Sequence, residues 1–521
     1  MRPALWRPPV EPCAAEQAIL KRIRRAKLFV FLREQRHELF AEAFQAELAT
    51  LYQESALGHP PIPPAQLALA TILQAYVGAS DDEVIEATTM DRRWQLVLDC
   101  LDCTEPPFSK GTLVGFRQRL IATGMDRRLI ERTIELAAQK GSFGSRQLRA
   151  ALDSSPLWGA SRVEDTYNLL GHALRKALGV IARQQGRGLA AMVSAAGAPL
   201  IGGTSLKAAL DLDWDDPAQQ AYALTSILQT LEAVEAWMET APLGSDDPRV
   251  SECLRTAHQI QAQDVELAAD GRPALRRKVA KERRIAIEDA SMRHGRKSKH
   301  QRIDGYKRHI LRDLDSGLVR AVGVTPANAP EASVTDALME DLAVQPVQLS
   351  ELHIDRAYLS SRLVQERPAE LLIYCKAWPV RNGDRFPKTA FHLDWEQQVI
   401  RCPNNVALPF APGGVVHFPA PTCAACPVRE RCTCSLHGRS VTLHPDERLL
   451  GELRQRQLTP LGRAKLRERT AVEQALAHVG RWQGRRARYR GSRKNVFDLR
   501  RCAVVHNLHV IARLPEMVKA A

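Results

Sequence analysis

Two aspartates in this chain stand where short apolar runs end. QLRAALD closes on Asp153, and ELHID, within ELHIDRAYLS, closes on Asp355, 202 residues later. Both runs read as strands, and ligands of open α/β sheets gather where strands end, so the two carboxylates can converge. Glu473 follows 118 residues further on, inside a helical pattern. Two Asp and one Glu offer hard oxygen ligands suited to Mg²⁺ (or Mn²⁺). A pair of such ions stabilises the attacking and leaving oxygens of phosphodiester cleavage. An Asp at a strand end is also a common turn former or helix cap, so residue type alone leaves both readings open.

The second chemical feature is a cysteine cluster. Cys423 and Cys426 form a CxxC, Cys432 and Cys434 follow, and Cys402 lies upstream. The Pro- and Gly-rich segment 380–446 that holds them reads as strand-poor and short of core. Cys402, Cys423, Cys426 and Cys432 suit a small structural Zn²⁺ site. The same ligands would serve an iron–sulfur cluster, and free thiols are the plain alternative. Cys100 and Cys103 have no second pair and read as structural. His309 and His353 read as packing or hydrogen-bonding groups.

The elements that must position these groups follow from periodicity. Residues 14–56 read as helical, and HPPIPP at 59–64 ends that block. QLALATILQAYVG stops at Gly78, and Ser80 caps a helix opening on Asp81, Asp82 and Glu83, as the helix dipole favours. Ser109 caps a third helix through FRQRL, where Arg117 and Arg119 are expected to be exposed for a helix-turn-helix-like DNA contact. A plain dimerisation bundle is the alternative. The texture changes at 147–153, and SSPLWG marks the expected end of the first strand. Residues 163–300 return to helical periodicity. DGYKRHILRDLDSGLVRAVGVTPA reads as a hairpin turning at Asp315-Ser316-Gly317. ASVTDALMEDLA is a helix, LLIYCKAW a strand, and the chain after 447 helical again. The expected fold class is α/β, preceded by an all-α region over 1–145.

The chain has 521 residues, too many for one small core. Its composition, 45% hydrophobic and 25% charged, excludes wholesale disorder. The formal net charge is +14, and two places supply it. Residues 272–312 carry 15 Lys/Arg against 4 Asp/Glu, and residues 451–521 carry 17 against 5. Excesses of that size suit a polyanion, most simply nucleic acid. The N-terminus lacks a signal-type apolar run, and the longest uncharged stretch, 189–206, is too weakly hydrophobic to span a membrane. A soluble cytoplasmic protein is expected.

These motifs resemble the DDE transposases of bacterial insertion sequences. ALDSSPLWGASRVEDTYNLL resembles the family's first-Asp block and HIDRAYLS its second. DGYKRHI with VTPANAPE resembles the strand pair between them. RERTAVEQALAHVGRW, then RYRGSRKNVFDLRRCAVVHNL, resembles the Glu-bearing helix and its basic continuation. SDDEVIEATTMDRRWQLVL with FSKGTLVGFRQRL is similar to the helical domain of InsH-like members. The blocks are spread over most of the chain. A motif of part of this superfamily spaces Tyr, Arg, Glu and Lys. Arg469 and Glu473 match it, whereas Leu466 and Gly480 stand at the Tyr and Lys positions.

The resemblance implies an RNase H-like core. Its first strand lies in 146–160, a helical insertion with a basic end fills 161–300, and the core continues over 301–379. A Cys-rich insertion occupies 380–446, and 447–521 closes the core. Asp153, Asp355 and Glu473 would be catalytic metal ligands, with Glu468 and Glu447 as fallbacks for the third. Double-stranded DNA, both element ends and target, would be the substrate, and a homodimer the active form. Phosphodiester hydrolysis would release a 3′-OH that then attacks target DNA. Arg469, Arg481, Arg490, Arg493 and Lys494 would lie near the DNA backbone, with Lys297 and Lys307 gripping from the other basic stretch. The competing readings are an inactive or domesticated DNA-binding relative and a Mg²⁺-dependent nuclease without strand transfer.

Overall fold

The computed structural model describes residues 2–53, 59–140, 147–240, 246–297 and 300–514. It is a mixed α/β structure, about half helical, with a helical N-terminal region and a curled sheet.

Eight helices lie between Ala14 and Gln139 among the described residues. The expected single helical block over 14–56 is three, Ala14–Arg22, Lys27–Leu39 and Glu42–Ala49. At the centre of the bundle is helix α1 (Pro64–Val77), apolar around most of its circumference and buried from Pro64 through Ala75. Such a helix needs neighbours on every side. Gly78 ends it in a left-handed conformation, and the Ser80 hydroxyl accepts from Glu83 N while Glu83 reaches back to Ser80 N, a complete capping box. Helix α2 (Lys110–Thr123) starts at Ser109 as expected, and α3 (Asp126–Gln139) follows.

The main sheet contains β1 (Gln147–Trp158), β2 (Arg293–Arg296), β3 (Arg302–Asp313), β4 (Val319–Pro326), β5 (Gln348–His353) and β6 (Leu372–Tyr374). β1 is central. It pairs antiparallel with β3 and parallel with β5, and β6 extends the sheet beyond β5. On the far side of β3, its first residues pair with β2 and the rest with β4. The β3–β4 hairpin turns at Asp315-Ser316-Gly317, where Gly317 adopts φ +78°.

β1 does not end at Asp153. It continues to Trp158, and SSPLW is strand. The reason lies in its two edges. Pairing with β3 runs from Ala150 to Trp158, but pairing with β5 stops at Ala151 opposite His353. Beyond that point one edge of β1 is open until Trp158 bridges to Arg486, and Pro156, lacking an N–H, is tolerated in this gap. The expected helical stretch over 163–300 is also shorter. Its helices run from Thr166 to Asp264, and the basic segment after Leu275 is not helical.

Helices α4 (Pro460–Glu468), α5 (Thr470–Gln483) and α6 (Ser492–Ile511) complete the structure described below. α6 is buried along most of its length and packs on α1, α3, α5 and β4. The N-terminal bundle, α5 and α6 thus share one hydrophobic core. The helices of 166–264 have a separate one. Residues 386–443 form a third, small cluster around Phe391, Ile400, Phe418 and Val441. That segment is not strand-poor: it has a three-stranded and a two-stranded sheet, built from three-residue strands too short to show periodicity.

Candidate carboxylate site and its basic surroundings

The sheet opens where β1 and β5 part company, and both aspartates sit at that opening. Ala151 and His353 are the last paired residues, so Asp153 and Asp355 each lie two residues beyond the same rung. Asp153 is an interior residue of β1 and takes the Ser154 N–H on Oδ1 at 2.7 Å. Asp355 is exposed and caps the short helical turn Arg356–Tyr358, accepting from Arg356 N at 2.7 Å. Glu473 arrives from the first turn of α5, which packs across β1 through Val472, Ala475 and Leu476.

Arg469 joins these groups. Its guanidinium donates to Asp153 Oδ2 at 2.6 Å and to Glu473 Oε1 at 2.7 Å. Asp153 has a side-chain exposure of 15%. Burial holds its pKa above the usual value and the Glu473 charge adds to that, against Ser154 N–H and Arg469. The cluster therefore concentrates negative charge and already draws a cation of the protein itself between two of its members. Three hard oxygen donors in that state suit a divalent ion of the Mg²⁺ kind.

Two residues beside the aspartates carry signals that sequence reading missed. Tyr358, three residues past Asp355, is fully buried, and its hydroxyl meets His309 Nδ1 at 2.9 Å. Burial pushes its pKa far up, and the charges of Glu331, Asp153 and Asp355 push the same way. His309 reaches Thr325 at 3.0 Å through its other nitrogen, and burial drives its pKa down to about 3. It is a hydrogen-bonding core residue, as expected. Glu331, at the end of the hairpin, has no sequence signal beyond its place in VTPANAPE.

Among the described residues, the ligand atoms drawn within 4.8 Å of one another are those of Glu351, His353 and Glu468. Neither the Asp153, Asp355 and Glu473 set nor the four cysteines are drawn in that tightly. The Glu351 group already has its cations: Arg149 binds Glu351 at 3.0 Å and also Glu468, and Lys465 binds Glu351 at 2.9 Å. His353 is fully buried and stacks on Tyr374 at 4.7 Å. This is a salt-bridge network between β1, β5 and α4, and it holds the fallback Glu468. The other fallback, Glu447, is buried against Lys388 at 2.5 Å and Arg454 at 2.8 Å.

The basic residues divide into free and committed ones. Arg117, expected to be exposed, is 6% exposed and grips Asp81 through two 2.6 Å bonds and Gln74 at 2.8 Å. Its side chain points into the seam between α1, α2 and α6, because the helical face that carries it is the buried one. Lys307 is mostly covered and donates to Ala329 O at 2.9 Å. Arg493 is bound to buried Asp126 and to Ile121 O. Arg469 is committed to the carboxylates. Arg490 makes a rim pair with Glu288 at 3.0 Å. Arg119 is exposed over the Tyr52 ring at 4.7 Å, and Lys297, Arg481 and Lys494 are exposed.

Cys402, Cys423, Cys426 and Cys432 line one cavity of about 20 Å³, the size of a single small occupant. Three separate pieces of chain bring them there. These are the turn after the Val399–Arg401 strand, the short helix Ala420–Ala424 with its following turn, and the helix Arg429–Cys432. Burial raises the Cys432 thiol pKa, and the other three cysteines add to the rise against Arg439. Cys434 is exposed and outside the cavity.

Three family models match separate parts of the chain. The Transposase domain (DUF772) matches residues 20–119, one Transposase DDE domain matches 269–377, and a second Transposase DDE domain matches 402–512. Asp355 falls in the first DDE match, Glu473 and the four cysteines in the second, and Asp153 between the matches. No curated protein and no solved structure matches the chain. The matches make this chain a transposase. It belongs to the DDE transposases of the insertion-sequence type, whose domains imply an RNase H-like fold and DNA as substrate.

Proposed function

We propose that the chain is the transposase of a bacterial insertion sequence, cutting DNA at the element's ends and joining it to target DNA. The observation that carries this reading is that Asp153 and Asp355 each lie two residues beyond the last shared rung of β1 and β5, with Arg469 bridging Asp153 to Glu473. These residues would hold Mg²⁺ (or Mn²⁺), which when bound supplies charge stabilisation at the attacking and leaving oxygens of phosphodiester exchange. Asp153 would present its carboxylate from the interior of β1, where its pairing with β5 stops, and Asp355 from just past the end of β5. Glu473 presents its own from a helix fixed on β1. Arg469 keeps Asp153 and Glu473 from repelling each other, and is then placed to meet the phosphate being cut.

The core would be RNase H-like, with 161–300 and 380–446 as insertions. Support comes from the sheet order, with β1 central, an antiparallel hairpin on one side and parallel strands on the other. Arg119, Lys297, Arg481, Arg490 and Lys494 would contact DNA phosphates, being exposed. A homodimer would hold two element ends together.

Cys402, Cys423, Cys426 and Cys432 would hold a structural Zn²⁺. The support is their common cavity and the small apolar cluster of their segment, which has little else to hold it together. Metal analysis of freshly purified protein should find about one zinc per chain by this tetrathiolate reading. Cys434→Ser should keep it and Cys426→Ser lose it. Visible absorbance from an iron–sulfur cluster, or no metal, refutes it.

The experiment for the main reading uses DNA carrying the inverted repeats that flank the gene. With Mg²⁺, a nick exposing a 3′-OH at the element end, followed by a joined product with target DNA, is expected. Cleavage without joining would make the protein a nuclease, and no cleavage a DNA-binding relative.

A further inference from the structure

A second cationic feature lies one helix face away from the carboxylates. A cavity of about 460 Å³ opens between α5, α6 and the tip of the β3–β4 hairpin. Its charged and titratable lining is Arg312, His478, Arg481, His506, His509 and Arg513, with no Asp or Glu. None of the three arginines forms an ion pair with a described residue. Buried arginines elsewhere in this chain are satisfied, Arg117 and Arg320 by the carboxylates of Asp81 and Asp313, and Arg284 and Arg308 by neutral oxygens. Three arginines without ion-pair partners, together with three imidazoles, around one open space form a surface that an anion would complete.

The histidines are arranged to add charge on demand. His506 Nε2 faces the Gly317 carbonyl oxygen at 3.2 Å, an acceptor only, so that nitrogen carries the hydrogen. Its Nδ1 is then an acceptor and takes His478 Nδ1–H at 3.0 Å. His478 Nε2 is left as the base that gains the next proton. His509 stacks on Trp482 at 5.2 Å and lies tilted against Tyr76 at 5.5 Å, and its Nε2 is buried without a partner. Burial first, then the neighbouring arginines and histidines, lowers the pKa of all three, to about 4 for His506 and His509. An anion in the cavity would offset that repulsion.

We propose that this cavity is a phosphate subsite for DNA, holding a backbone phosphodiester of a strand that passes the carboxylate cluster. The proposal rests on DNA being the substrate. The helix geometry fits such a path. At 100° per residue, Gln474, His478 and Arg481 share a face roughly a third of a turn from Glu473, and Arg481 lies about 12 Å along the axis from it. A strand leaving the carboxylates can therefore follow α5 into the cavity. Phosphate is favoured over a peptide carboxylate because three arginines and a set of protonatable imidazoles exceed what one carboxylate needs.

The test measures binding of a short duplex of arbitrary sequence to the full chain by fluorescence anisotropy, across salt concentrations and pH. Replacing Arg481 and Arg513 together by Ala should weaken binding about tenfold or more and reduce the slope of log affinity against log salt by about two. Lysine at both positions should preserve the slope. Arg255→Ala, at an exposed arginine of the 248–264 helix paired with Glu252, should behave as wild type. Wild-type affinity should rise as pH falls from about 7.5 to 5.5, and His478→Gln with His509→Gln should flatten that rise. A duplex bound with wild-type slope and pH dependence by these variants overturns the subsite. A wild-type chain that binds no duplex, while inorganic phosphate still shifts the imidazole NMR signals, overturns the DNA reading beneath it instead.

Discussion

Asp153→Asn should leave the metal-free protein at least as stable as wild type at neutral pH. Asp153 pays for its charge with burial, since its folded-state pKa is raised above the ordinary carboxylate value. An acid with a raised folded pKa costs stability once the pH passes the unfolded pKa, and the full cost is present above the folded one. Each unit of such a shift corresponds to about 1.4 kcal/mol. Asparagine removes the charge and keeps an oxygen for the Ser154 N–H; its NH2 stands where Asp153 Oδ2 met Arg469, which retains Glu473. The expected gain is on the order of 1 kcal/mol or less. It should vanish as pH falls below about 4, where Asp153 is protonated in both states. Divalent metal should reverse the order. A ligand at 100 times its dissociation constant stabilises the state that binds it by about 2.7 kcal/mol, a term the variant largely loses. Melting curves in chelator and in excess Mg²⁺, at pH 7 and below 4, measure all of this. A variant less stable than wild type in chelator at pH 7, or equal stabilisation of both by Mg²⁺, refutes the reasoning.

Other outcomes follow from the same geometry. Arg117→Ala should cost about 3 kcal/mol or more, because it leaves the Asp81 carboxylate without its cation at the seam beneath α6, whereas Arg119→Ala should cost less than about 1. Chemical denaturation separates the two. Glu447→Gln should destabilise by about 2 kcal/mol while leaving DNA cleavage per folded molecule unchanged, since the Glu447 carboxylate is committed to Lys388, Arg454 and His444 N. Burial opposes ionisation of Glu447, but those three donors hold its pKa below the usual value. Its contribution should therefore persist at neutral pH and disappear as pH drops through that lowered pKa, which an acid titration of wild type against the variant would detect.

Much of this was legible in the sequence because it depends on local pattern. Ser80 and Ser109 announce their helices by capping chemistry, and the DSG turn announces its hairpin. Asp355 is readable as a strand-end residue because β5 really stops beside it. Asp153 was read by the same rule for a different reason. Its strand continues, and what ends there is the partner edge, a tertiary fact that no local run encodes. Arg117 misleads because an arginine on a helix looks exposed until its partners, Asp81 on another helix and Gln74 on α1, are brought together. Tyr358 and Glu331 escaped notice because their meaning lies in which carboxylate charges act on which phenol, a tertiary relation. The sharing of one core by the N-terminal bundle and α6 was equally invisible, since it joins residues more than 400 positions apart, such as Gln74 and Arg501.

The central claim is that Asp153, Asp355 and Glu473 act as one metal-holding set. Cleavage of DNA carrying the element's ends tests it most directly, with Asp153→Asn, Asp355→Asn, Glu473→Gln and, for comparison, Glu468→Gln assayed in Mg²⁺ at matched folded concentrations. Each of the first three should abolish cleavage, and Glu468→Gln, which touches only the Arg149 and Lys465 network, should retain it. Wild-type cleavage by any of the first three, or loss with Glu468→Gln in a folded protein while Glu473→Gln stays active, would contradict the account.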